Sequence, residues 1–67
     1  MNSEMKEFVL VYSIIDKKSG KVLVDCGETF IKAPRIVTAM ALHRIELAKS
    51  GIDDTYMIIY HDGGEIS

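Results

Sequence analysis

The stretch Phe8–Cys26, FVLVYSIIDKKSGKVLVDC, decides how this chain folds. Two runs rich in β-branched and aromatic residues, Phe8–Ile15 and Lys21–Cys26, are each too short for an independent helix and flank the turn-forming segment Asp16-Lys17-Lys18-Ser19-Gly20. They read as a strand and its return strand. A three-residue loop Lys18-Ser19-Gly20, with Gly20 in the left-handed region, closes such a hairpin. Counting back from it sets Ile14 opposite Val24 and Tyr12 opposite Cys26. One face then carries Phe8, Leu10, Tyr12, Ile14, Val22, Val24 and Cys26; the other carries Val9, Val11, Ser13, Ile15, Leu23 and Asp25. A slip of one residue would mix the polar and apolar sets, so turn chemistry and hydrophobic pattern support one register.

Beyond the hairpin, Pro34 suits a first helical turn and Gly51 follows the last periodic residue, which predicts a helix from about Pro34 to Ser50. Ile52 would add the apolar contact of a C-terminal cap. Ile36, Val37, Met40, Ala41, Ile45, Leu47 and Ala48 fall in one broad arc, with Thr38, Glu46 and Lys49 opposite. Thr55–His61, TYMIIYH, reads as a third strand, while Met1–Lys6 and Asp62–Ser67 read as frayed ends. The expectation is a single α+β domain of ββαβ order, a three-stranded antiparallel or mixed sheet with one helix on one face. The first strand is apolar on both sides and belongs in the middle. If the second and third strands run parallel, the helical crossover between them is right-handed.

Composition narrows the function classes. A core built from 67 residues contributes only about 3–5 kcal/mol of net stability, so small domains recruit disulfides, metals or second subunits. The single cysteine, Cys26, excludes an internal disulfide and fits a reducing compartment. No Cys or His pair has zinc-site spacing, and no cofactor is expected. Self-association is the remaining route. A net charge of −2 is not that of a dedicated nucleic-acid binder. Glu4 and Glu7 interrupt the start, and Phe8–Ile15 is too short for a signal-peptide core or a membrane span. A cytoplasmic, membrane-free protein is expected.

One helix covers only one face of such a sheet. On the bare face the pattern puts Val9, Val11, Ile15 and Leu23, joined by Tyr56, Ile58 and Tyr60 of the third strand, with Met57 and Ile59 turned inward. Tyrosine tolerates partial exposure and is enriched at interfaces, which favours this choice. The apolar face points to a protein interface, either a homodimer stacked sheet to sheet or a docking surface for another protein. Arg44, inside the apolar arc, reads as a snorkelling side chain, as a partner of Asp25 or Glu28, or as an interface anchor.

Lys17, Lys18, Lys21, Lys32 and Arg35 form a basic group that could grip phosphates, and a small nucleic-acid binder using the hairpin is the alternative reading. No aromatic residue interleaves with the hairpin lysines Lys17, Lys18 and Lys21. Catalytic candidates are thin. Cys26 would need His43 or His61 beside it, and reads instead as a small hydrophobe. His61 and Asp62 are adjacent on a strand and point apart. Asp53-Asp54 initiates a turn rather than binding a metal, and Gly63-Gly64 lacks the context of a phosphate loop. The sequence therefore points to a non-enzymatic protein–protein interaction module, a homodimeric accessory, regulatory or inhibitor protein. Phage-encoded binders of a host protein share this size and topology, an analogy of fold alone.

Overall fold

A computed structural model describes residues 5–66. Strand β1 spans Lys6–Asp16, β2 Val22–Ala33 and β3 Tyr56–Glu65, with helix α1, Ile36–Lys49, between the last two strands. The sheet order is β2-β1-β3, and β1 runs antiparallel to both neighbours. The expected ββαβ, α+β architecture is thus present, with the first strand central and α1 crossing over between parallel outer strands.

All three strands outrun their sequence-based limits, β2 and β3 by the most. β2 continues through Gly27 to Ala33, because Thr29, Ile31 and Ala33 alternate with Glu28, Phe30 and Lys32 at the period of a strand. β3 continues through Asp62–Glu65, a segment expected to fray. Gly64 and Gly63 pair with Val9 and Leu10, and Ile66 donates its N–H to the Glu7 carbonyl at 2.8 Å. Gly63 is required by close approach, since a Cβ there would lie 3.1 Å from Ile36 Cδ1 and 3.3 Å from Leu10 Cδ2. At the other end Lys6 belongs to β1 and pairs with Glu65 at 3.7 Å; the rest of the expected lead-in, Met1–Glu4, and Ser67 lie outside the described residues.

The hairpin closes through four residues, Lys17–Gly20, rather than three. Asp16 donates its N–H to the Lys21 carbonyl and accepts that of Gly20, both at 2.8 Å, and Gly20 takes the expected left-handed φ of 75°. Ile14 still meets Val24, because the extra loop residue is offset by a bulge at Leu23. Further along, Tyr12 meets Gly27 instead of Cys26. A second bulge sets Asp25 and Cys26 against the single residue Ser13, with Cys26 at a φ of 53°. Val22, expected inward, pairs with Ile15 and so faces outward. A third bulge at His61 shifts β3 against β1.

Helix α1 ends as its sequence foretells: Gly51 donates to the Ala48 carbonyl at 3.1 Å and Ile52 to the Leu47 carbonyl at 2.9 Å, the hydrogen-bond pair of a Schellman cap. The core consists of Phe8, Leu10, Ala33 and Ala39, flanked by Ile31, Ile36, Met40 and Tyr60, with Ile14 buried beyond it. Only one edge of the helix's apolar arc meets this core. Ile36, Ala39, Met40, His43 and Leu47 turn inward, whereas Val37 and Ile45 remain 64% and 51% exposed. Small Ala33 and Ala39, both fully buried, draw the helix toward β2 and rotate the rest of the arc away from the sheet. The result is elongated: the radius of gyration is 12.9 Å, against about 11 Å for a compact chain of this length.

Candidate protein-binding surface

Residues paired across neighbouring strands share a face, so the registers fix what the uncovered side of the sheet displays. Leu10 is in the core, so Val9 and Val11 point away from it. Row by row, β2-β1-β3, the uncovered face presents Phe30, Val9 and Gly64; then Glu28, Val11 and Asp62; then the bulge residues beside Ser13 and Ile59; then Val22, Ile15 and Met57. Phe30 is 58% exposed, and Val22 and Met57 are about half exposed. Two apolar patches about 20 Å apart, six residues along β1, are therefore separated by a row in which two carboxylates flank Val11.

Of the expected interface residues, Val9, Val11 and Ile15 lie on this face. Leu23 is the extra residue of its bulge and is half exposed. Tyr56, Ile58 and Tyr60 do not lie on it. They pair with Asp16, Ile14 and Tyr12, all on the helix side, so Met57 and Ile59 are the outward residues of β3. The preference of tyrosine for partly exposed sites gave the opposite expectation. It is overridden because Tyr60 finds a polar partner beneath the helix: its hydroxyl lies 2.8 Å from His43 Nδ1.

That contact belongs to a small polar cluster between α1 and the sheet. His43, 5% exposed, packs edge-on against Tyr12 with ring centroids 4.4 Å apart, and the Tyr60 hydroxyl also approaches the Met40 carbonyl at 3.5 Å. Burial holds His43 below its ordinary pKa, so the neutral ring is favoured. Burial likewise raises the Tyr60 phenol, with the Arg44 charge opposing the shift. Arg44 sits over the Tyr60 ring, 5.8 Å from its centroid, rather than beside Asp25 or Glu28. Its stem and Ala48 line an open groove of about 520 Å³ with Tyr56, Ile58 and Asp53, between α1 and β3.

On the uncovered face the Ser13 hydroxyl is the pivot of the central bulges. It accepts the Cys26 N–H at 3.1 Å and lies 2.7 Å from His61 Nε2, to which it donates when that nitrogen carries no proton. Ser13 is thereby 4% exposed although it faces outward. The arrangement satisfies a bulge amide. Cys26, expected as a buried small hydrophobe, is exposed at the bulge, because the bulge throws it out of the pairing. Asp53 accepts the Thr55 N–H at 3.0 Å and its hydroxyl at 2.6 Å, a turn that holds the carboxyl below its ordinary pKa. Among the described residues no group of His, Cys, Asp and Glu is arranged to hold a metal ion.

The basic group is split. Lys17, Lys18 and Lys21 surround the hairpin tip, while Lys32 and Arg35 lie at the far end of β2, about 35 Å away along the strand. Phe30, Met57, Ile59 and Val22 are the surface residues that sequence reasoning missed. The alternation of Glu28, Phe30 and Lys32 beyond Gly27 carried the signal for the first. Among the described residues no helix is long and apolar enough to cross a membrane. Comparison with protein-family models, with curated proteins and with solved structures finds no match to this chain.

Proposed function

We propose that this protein is a non-enzymatic protein-interaction module, a small accessory or regulatory protein whose uncovered sheet face docks on another protein. The observation that carries the reading is that face itself. Antiparallel sheets with one solvated side normally turn polar residues to water, yet Val9, Val11, Ile15, Val22, Phe30, Met57 and Ile59 line this one.

The charge pattern favours a foreign partner over a sheet-to-sheet homodimer. In a stack centred on Val11, a two-fold axis lying along the strands sets Glu28 of one copy over Asp62 of the other. An axis across the strands sets each carboxylate over its own copy. Either arrangement desolvates like charges facing one another. A partner with apolar contacts at the two patches and a basic side chain between them fits instead. The nucleic-acid alternative retains only Lys17, Lys18 and Lys21 at the hairpin tip. Exposed, unpaired Cys26 suits a reducing compartment, and the cytoplasm is the location we propose.

Affinity capture from a native lysate, run in parallel with wild type and Val11→Lys, tests the reading. Val11 is partly exposed, so the substitution leaves the core intact while placing a charge between the patches. A protein retained by wild type and lost by Val11→Lys, with unchanged circular dichroism, is the expected result. Capture only of nucleic acid, abolished by reversing the three tip lysines, would refute it.

A further inference from the structure

We propose that a second copy of this chain docks on the flank of α1 that faces away from the core over β3, forming an antiparallel helix pair that crosses at Ala41. The proposal is independent of the sheet-face reading and starts from a mismatch within the helix. At about 100° per residue the apolar arc of α1 spans half the cylinder, but the sheet takes only the edge defined by Ile36, Ala39, Met40, His43 and Leu47. Val37, Ala41, Ile45 and Ala48, one contiguous stripe, are all exposed. A helix with so wide an apolar arc is normally covered on more than one side. The flank points to the β3 side, since Arg44 overlies Tyr60 and a shallow groove of about 370 Å³ runs along Val37, Met40, Ala41, Arg44 and Ile45.

Three features identify the occupant as another copy. First, the stripe is self-complementary. Val37 and Ile45 stand four residues either side of Ala41, so a two-fold through Ala41 seats Val37 of each copy against Ile45 of the other. This is the i±4 ridge packing, and a small residue at the crossing admits the close approach of about 8 Å. Second, the stripe carries no carboxylate. Its only charge, Arg44, lies three residues from the crossing, so the two guanidinium groups are offset by about 9 Å along the axis, each over its own Tyr60 ring. Third, the ends of the pair attract. Antiparallel alignment brings Arg35, ahead of one helix, toward Asp53 and Asp54, which follow the other, and opposes the two helix dipoles. The flank of a helix about 21 Å long offers on the order of 400 Å² per copy, about 800 Å² in total and below the range of stable specific interfaces. The association is therefore of the weak, concentration-dependent kind.

Sedimentation equilibrium of the full chain from 1 to 500 µM, with two pairs of variants, tests it. Wild type should shift from monomer to dimer across the series. Ala41→Glu exchanges one good helix former for another at an exposed site, and should remain monomeric with an unchanged unfolding midpoint. Leu42→Gln, which alters an apolar residue outside the stripe, should dimerise as wild type does. In a Cys26→Ser background, Ala41→Cys should cross-link on oxidation because the residue meets itself at the two-fold, whereas Ile45→Cys should not. A wild type that stays monomeric at every concentration overturns the proposal. So does a dimer that survives Ala41→Glu but is lost in Val11→Lys, because its interface would be the sheet face.

Discussion

Removing the hydroxyl of Tyr60 tests the polar cluster that holds α1 on the sheet. In Tyr60→Phe the ring still fills its place between Met40 and the sheet, but His43 Nδ1 loses its partner at 2.8 Å. A buried group left without its hydrogen bond costs about 1–3 kcal/mol, which in a domain of this size lowers the melting temperature by roughly 5–15 °C. The same cluster gives a pH signature. Burial lowers the His43 pKa below its ordinary 6.5, so the unfolded chain binds more protons than the folded one between the two values. The contribution of the neutral ring is complete above pH 6.5 and is lost as pH falls through the folded value. Thermal unfolding followed by circular dichroism between pH 7.5 and 5.5 should show falling stability for wild type and a flatter profile for His43→Gln. The Asp53 carboxyl, whose ordinary value is 3.8, contributes below this window. An unchanged midpoint for Tyr60→Phe, or equal slopes for wild type and His43→Gln, would refute the assignment of His43 as a buried, neutral, hydrogen-bonded ring.

Two further substitutions probe the backbone. Gly63→Ala places a methyl 3.1 Å from Ile36 Cδ1 and 3.3 Å from Leu10 Cδ2. It should cost about 1–3 kcal/mol of overpacking, read as a lower urea midpoint with an unchanged slope. Cys26→Gly should raise the same midpoint through a stability gain of up to about 1 kcal/mol, since a glycine carries no penalty at the φ of 53° that Cys26 holds; a lower midpoint would mean that the thiol makes contacts outweighing the backbone relief.

The architecture was legible because its signals are local. The hairpin is written in alternating residues around Asp16–Gly20, and the helix end in Gly51 followed by Ile52. The faces of β3 were not legible, because Tyr56–Tyr60 is apolar on both sides and only tertiary partners distinguish them. Nothing near Tyr60 in sequence announces that His43, 17 residues away, will receive its hydroxyl. Likewise the arc of α1 was read correctly as apolar, but which edge of it docks depends on how closely Ala33 and Ala39 let the helix approach β2. The bulges at Leu23 and Cys26 were invisible for another reason. In the count that sets Ile14 against Val24, one extra loop residue and one extra strand residue cancel.

Those bulges have a consequence for how the molecule resists polymerising. A three-stranded open sheet exposes two strand edges, each a template on which further strands can accrete into fibrils. Here β2 is interrupted at Leu23 and again at Asp25–Cys26, and β3 at His61. Each interruption throws the regular spacing of free N–H and C=O groups out of step within a few residues. An incoming flat strand can therefore match only part of each edge, the longest regular run being Gly27–Ala33 of β2. The chain can thus leave apolar faces exposed while limiting how far its edges can template growth.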